Sequence, residues 1–134
     1  MIKEQFVSFD TAKMLKKAGF CEPCFFLYTK SGTVWRCGGP EDCNDTDSLY
    51  SRPAQAVAAR WLREKKGLHV YAIQTNLPLT EPQTAEWEWG YIVTRVNDPN
   101  GQDNFIDMYY TSYEDAMEAG IRHALESVID KQGK

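Results

Sequence analysis

The sequence predicts an α+β domain in which about three helices pack against a mainly antiparallel sheet, in the order α-β-β-α-β-β-β-α. Three observations support this prediction. Residues 51–67 repeat apolar side chains at helical spacing, residues 24–37 have the pattern of a β-hairpin, and residues 86–96 alternate as a half-buried strand does. Strands joined by hairpins run antiparallel. A chain of 134 residues with no long linker suits one domain, residues 1–134.

The first helix is predicted to be short and to run through about Ala18. Ser8 or Asp10 is an N-cap residue of a favoured type. Gly19 follows the last turn, where glycine readily adopts the left-handed conformation that ends a helix.

The hairpin is the clearest β-signal in the first half of the chain. Residues 24–30 are rich in aromatic side chains, Ser31–Gly32 is a favourable two-residue turn, and residues 33–37 return as the partner strand. The following residues, 38–50, consist mostly of turn-forming and acidic types. They therefore predict an exposed loop.

Residues 51–67 form the clearest helix of the whole sequence. Ser51 is the predicted N-cap, Pro53 is tolerated in the first turn, and Gly67 is the predicted stop. The stripe expected to face the core consists of Ala54, Val57, Ala58, Trp61 and Leu62.

The second half predicts three strands followed by a helix. The strands are residues 69–76, 86–96 and 104–110, and two prolines mark residues 77–85 as a loop. Both faces of 86–96 carry apolar residues, so this strand is expected to be central in its sheet. The last helix is capped at 111–112. Its apolar stripe consists of Met117, Ile121, Ala124, Leu125 and Val128.

Composition narrows the class of protein. Hydrophobic residues make up 43% of the chain and aromatic residues 13%, which is enough for a packed core. The net charge of −4 argues against general binding to nucleic acid or to a membrane surface. The sequence contains no apolar run of the roughly 18 residues that a membrane span needs, and the first residues lack the apolar core of a signal peptide. A cytoplasmic protein is therefore expected.

Four cysteines carry the main chemical hypothesis. Cys21 and Cys24 form a CxxC pair, and Cys37 and Cys43 form a second, wider pair. The hairpin lies between the two pairs and brings Cys24 close to Cys37, because both lie near its open ends. Four thiolates can hold zinc in a tetrahedral site, so these residues are a candidate zinc set. Incidental buried thiols are the favoured interpretation, because the second pair is more widely spaced than usual. A redox CxxC is disfavoured because it normally opens a helix, whereas this one precedes a strand.

Basic helix faces and two tryptophans form a candidate interaction surface. The lysines of the first helix and the cations of the central helix would adjoin if those helices packed side by side. The candidate residues are Lys13, Lys16, Lys17, Arg60, Arg63, Lys65, Lys66, Trp87 and Trp89. The alternative is that the charges are solvated helix surface and the aromatics belong to the core.

The sequence contains no recognisable catalytic motif: a glycine-rich phosphate loop, a nucleophile elbow and an HExxH zinc motif are all missing. His69 and His123 have no partner at metal-ligand spacing, so both are expected to be structural. The order of elements after residue 52 is that of double-stranded RNA-binding domains. However, the last helix opens with Glu114, Asp115 and Glu118, which would repel phosphate.

Three segments resemble a family of small uncharacterised proteins from Bacteroides-type gut bacteria and their phages or mobile elements. The segments are FVSFDTAKMLKKAGFCEPCF at 6–25, RPAQAVAARWLREKKGLHV at 52–70 and YEDA at 113–116. Cys24 fits the family pattern, whereas Cys21 departs from it. The family has no assigned activity, so the resemblance supplies no catalytic residues, and it implies an accessory or host-interaction role. No cofactor is expected other than the zinc of the alternative.

The sequence therefore predicts a non-catalytic domain that binds a partner protein or associates with itself. An exposed aromatic or apolar patch would mark the contact. The first alternative is a small structural-zinc protein with nucleic-acid contacts through its basic helices. The second alternative is an enzyme with an unfamiliar site, which would require a deep pocket joining Cys24 or His69 to carboxylates.

Overall fold

The computed structural model describes residues 2–74, 89–97 and 105–132. The helices are α1 (Phe9–Ala18), α2 (Gln55–Lys66) and α3 (Tyr113–Gln132), with a short 3-10 helix at Cys43–Asp45. The strands are β1 (Cys24–Thr29), β2 (Val34–Glu41), β3 (Leu49–Ser51), β4 (Leu68–Gln74), β5 (Trp89–Arg95) and β6 (Phe105–Tyr110). The predicted α+β class is confirmed, with β3 added to the predicted order. The predicted loop at 77–85 lies outside the described residues.

The strands divide between two three-stranded antiparallel sheets rather than forming one. The first sheet has the order β2-β1-β3 and the second has the order β4-β5-β6. The predicted central position of β5 is confirmed. In the first sheet Tyr28 of β1 lies between Val34 of β2 and Tyr50 of β3.

The first helix begins and ends where the sequence predicts. The Ser8 hydroxyl accepts a hydrogen bond from the Thr11 amide, which satisfies one of the donors left unpaired at a helix start. Gly19 follows Ala18 at a φ of 98° and donates to the Lys16 carbonyl. Both caps are local devices, so the sequence is sufficient to locate them.

The central helix begins later than predicted. Its N-cap is Ala54 and no side chain caps it, because residues 53–54 are held extended against the chain before α1. The Val7 amide donates to Pro53, and the Gln55 amide donates to Gln5. The predicted core stripe is wrong at Val57, which is 43% exposed. Ala59 is buried instead.

The prediction for residues 38–50 is confirmed for exposure, since only Cys43 is buried there, but it is wrong for the loop, since the segment contains strand and 3-10 helix. β2 continues to Glu41, which pairs with Cys24 across the sheet. The Asn44 side chain then ties the turn down, since it donates to the Phe20 carbonyl and accepts from the Ser51 amide. A polar residue of this turn thus pairs with backbone groups of segments that are distant in the sequence. Local composition predicts a turn here, but it does not predict these partners.

The last helix joins the other elements of the core. α3 packs against α1, α2 and all three strands of the second sheet, and every residue of its predicted apolar stripe is buried. Gly120 lies against Val70 and Tyr91, which allows the helix to approach the sheet closely. None of the helices in the described ranges is long and apolar enough to cross a lipid bilayer.

Candidate functional site

Two buried thiols and one carboxylate meet at the end of the first sheet. The Sγ atoms of Cys37 and Cys43 are 3.4 Å apart, and both residues are buried. A carboxylate oxygen of Glu41 lies within 4.8 Å of both sulfurs, and Glu41 is exposed to solvent. We refer to Cys37, Glu41 and Cys43 as the thiol cluster.

Backbone geometry holds the cluster in place. Cys37 and Glu41 belong to β2, and Cys43 is the first residue of the 3-10 helix. The Cys43 amide donates to the buried Ser51 hydroxyl at 3.1 Å, and the Asp42 side chain caps the turn through the Asn44 amide. The turn therefore returns Cys43 to the strand that carries Cys37.

Cys24 lies beside the thiol cluster on the adjacent strand. Burial raises the pKa of the Cys24 thiol to about 11, a hydrogen bond from Ser51 opposes that shift, and the charge of Cys37 adds to it. Burial also raises the pKa of Cys43 to about 12, assisted by its contact with Cys37 and by the charges of Glu41 and Cys24. Both thiols stay protonated at neutral pH without a cation nearby, which disfavours a role as redox nucleophiles.

The structure brings three of the four predicted cysteines into one region and leaves the fourth out. Cys21 is exposed and does not join the thiol cluster. Glu41, which the sequence analysis did not select, takes its place. The signal for Glu41 was its position between Cys37 and Cys43, but only the continuation of β2 shows that its side chain reaches the sulfurs.

The two histidines pack against aromatic rings. The His69 ring lies 4.9 Å from that of Tyr71, and the His123 ring stacks on Phe105 with centroids 3.9 Å apart. Neither histidine belongs to a metal-binding group among the described residues. These contacts agree with the expected structural role.

A groove of about 310 Å³ reaches Cys24 from the start of α2. Its walls are mainly apolar and include Phe6, Phe25 and Val57. The Arg52 guanidinium stacks over the Phe6 ring at 4.2 Å, which places this cation against an aromatic wall. Cys24 and the carboxylate-bearing Glu4 both line this groove, which is the combination that the enzyme alternative requires. Among the described residues no histidine lines it, so a histidine base for the thiol is missing there.

The second sheet has one face that α3 covers and one that it does not. Val70 and Tyr91 point toward α3, so the residues that alternate with them point away from it. We call this second surface the outer face. In rows across β4, β5 and β6 it consists of His69 and Thr94, then Tyr71, Ile92 and Ile106, then Ile73, Gly90 and Met108.

The outer face is apolar and carries no formal charge from Asp, Glu, Lys or Arg. Ile106 is 59% exposed, and Tyr71, Ile73, Ile92 and Met108 are partly exposed. The sequence predicts that both faces of β5 carry apolar residues, but it does not indicate which face a helix covers. Only the position of α3 separates the covered face from the outer face.

Most of the candidate basic and tryptophan residues that the structure describes make local contacts. Lys16 donates to the Thr46 and Leu49 carbonyls, Lys13 pairs with Asp10, and Arg60 pairs with Glu64 on its own helix. Lys66 lies over the Trp61 ring. Lys17, Arg63 and Lys65 are exposed. Trp89 packs edge-on against Tyr113 of α3, and Trp87 lies outside the described residues.

Burial of two tyrosines predicts a loss of stability at high pH. Desolvation raises the pKa of Tyr110 from 10.0 to about 12, and burial raises that of Tyr91 further. Because the folded state disfavours the charged phenolate, ionisation of Tyr110 favours the unfolded state. The free energy of unfolding is therefore unaffected below pH 10.0, the pKa of an exposed tyrosine, and it falls as the pH rises through about 12. We expect the free energy of unfolding in urea to fall across this range, and to fall less steeply in Tyr110→Phe. A free energy that stays constant across it would contradict the prediction.

The geometry thus defines a two-sheet α+β domain with a thiol cluster on the first sheet and an apolar outer face on the second. No protein-family model, curated protein or solved structure matches the chain. The thiol cluster and the outer face are therefore the features of the structure that bear on function.

Proposed function

We propose that the protein is a non-catalytic interaction domain that associates with a second copy of itself through the outer face. The observation that supports this is the exposed apolar surface built from three adjacent strands, with Ile106 at its rim. Contiguous apolar surface on a folded domain is typical of protein contacts. The resemblance to proteins of gut bacteria and mobile elements supports an accessory role of this kind.

Features of β6 favour a contact through the face rather than through the strand edge. The Met108 amide is occupied by the Asp107 carboxylate at 3.0 Å. Tyr109 has a φ of 87°, which interrupts the regular strand, and the pairing with β5 shifts at the same point. Local irregularity and an acidic residue are the devices by which natural edge strands avoid pairing with other chains.

The absence of formal charge on the outer face favours a second copy as the partner. In a twofold contact one surface patch meets its own copy, so a patch with a net charge would face a patch of the same sign. The listed residues of the outer face carry no formal charge, so two copies can meet without that repulsion. A highly charged partner such as a nucleic acid would find no complementary group there.

The size of the face predicts a weak association. Three strands about 4.8 Å apart, over five residues at about 3.4 Å each, cover on the order of 250 Å². Stable complexes bury about 800 Å² on each partner. We therefore expect dimers to form reversibly and only at high protein concentration, since a face of this size must also offset the cost of association.

Sedimentation equilibrium over a concentration series tests the proposal. We expect the wild-type protein to shift from monomer to dimer, and Ile106→Asp to stay monomeric because each contact would have to cover a carboxylate with apolar surface that offers it no partner. Trp35→Asp is the matched control, since Trp35 is 60% exposed on a strand of the other sheet and should not affect association. A wild-type protein that is monomeric at millimolar concentration, or an Ile106→Asp protein that dimerises normally, would overturn the proposal.

A further inference from the structure

We propose that the thiol cluster is a binding site for a thiophilic divalent cation of the zinc class. Cys37 and Cys43 supply two sulfur ligands and Glu41 supplies an oxygen ligand. Cys24 is the nearest further thiol, since it pairs with Glu41 across the sheet. The fourth position is taken by Cys24 or by water. This site is independent of the outer face.

The distances suit a tetrahedral ion. With zinc–sulfur bonds of about 2.3 Å, two sulfurs of a tetrahedral site lie about 3.8 Å apart. The sulfurs of Cys37 and Cys43 are 3.4 Å apart, so an increase of a few tenths of an ångström would admit the ion. The Glu41 carboxylate oxygen lies within 4.8 Å of both sulfurs. A rotation of the Glu41 side chain would bring this oxygen to an ion bound between the two sulfurs.

The carboxylate distinguishes a metal site from a disulfide. Forming a disulfide would shorten the sulfur–sulfur distance to about 2.05 Å and would not use Glu41. Binding an ion would displace the protons of the two thiols, and its positive charge would then offset the charges of two thiolates and a carboxylate in one place. A mixed set of sulfur and oxygen ligands suits zinc better than copper(I), which prefers sulfur alone.

The site is held before any ion arrives. Cys37 lies on a paired strand, and the hydrogen bond from the Cys43 amide to the Ser51 hydroxyl holds the returning turn. Ser51 is fully buried and belongs to β3, which pairs with the other side of β1. An ion at the cluster would therefore link the turn to the first sheet.

Cobalt(II) is the probe for the first experiment, because thiolate ligands give it intense charge-transfer absorption that zinc lacks. Reduced protein is titrated with Co²⁺ without oxygen, and the bound ion is then displaced with Zn²⁺. We expect one equivalent to bind, with absorption typical of two thiolates, or of three if Cys24 is a ligand. Cys24→Ser lowers the intensity only in the second case.

Single substitutions then test each ligand. We expect Cys37→Ser and Cys43→Ser to weaken Co²⁺ binding by at least 100-fold. Glu41→Gln should weaken it by about 10-fold or more, and because Glu41 is exposed this variant keeps its packing. Cys21→Ser is the matched control, since Cys21 is exposed outside the cluster, and its affinity should equal that of the wild type.

Three results would overturn the proposal. One is a reduced wild-type protein that shows no thiolate absorption with Co²⁺. Another is a Cys21→Ser protein that binds as poorly as Cys37→Ser. The third is a protein that forms a Cys37–Cys43 disulfide and, once reduced, binds neither ion. Ile106→Asp should retain full cobalt binding, so failure of the outer-face contact is distinguishable from failure of the metal site.

Discussion

Replacing Phe20 by alanine is expected to lower the free energy of unfolding by about 3–5 kcal/mol, the usual cost of deleting a buried aromatic ring. Phe20 is 1% exposed, and its ring meets that of Trp61 edge-on at 5.4 Å. It follows Gly19 at the end of α1 and joins that helix to α2. Since domains of this size are stable by about 5–15 kcal/mol, the change would remove a large share of the total. Urea unfolding monitored by circular dichroism measures it.

Phe25→Ala is the matched control for this prediction. It deletes the same ring only five positions later in the chain, but Phe25 is 55% exposed. We expect a loss of less than about 1 kcal/mol, as for most surface substitutions. If the two variants were equally stable, the assignment of Phe20 to the core would be wrong.

Replacing Gly120 by valine is expected to lower the free energy of unfolding by about 1–3 kcal/mol or more, because overpacking a core usually costs that amount. A Cβ atom at this position would lie 2.7 Å from Val70 Cγ1 and 3.0 Å from Tyr91 Cγ. Because Tyr91 is buried in the central strand, α3 would have to move away from β4 and β5. Valine has a better helix propensity than glycine, so the loss would oppose the local preference. Thermal unfolding of the purified variant measures it.

Arg122→Val provides the comparison on the same helix. Arg122 is exposed, so valine there brings the modest helix penalty of a β-branched residue without a collision. We expect a loss of about 0.5 kcal/mol or less. A Gly120→Val protein as stable as Arg122→Val would mean that α3 does not approach the sheet as closely as described.

Local chemistry explains what was predicted correctly. The limits of α1 depend on Ser8 and Gly19, which act on neighbouring backbone groups. The stripe of α3 follows from helical periodicity, and the hairpin of β1 and β2 follows from a turn between two β-rich runs. Each of these signals lies within a few residues of the structure that it predicts.

Long-range pairing explains what was predicted incorrectly. The start of α2 depends on residues 5–7, which hold residues 53–54 extended. The strand and turn within 38–50 depend on Phe20 and Cys24. Such partners are distant in sequence and leave no periodic signal.

The sequence by itself determined the α+β class, the caps of α1 and the set of four cysteines. Tertiary structure alone decided which of them meet. It placed Glu41 beside Cys37 and Cys43, left Cys21 exposed, and put α3 on one face of the second sheet only. The physical reason is that caps and periodicity act through neighbouring residues, whereas ligand sets and exposed faces depend on how distant elements pack.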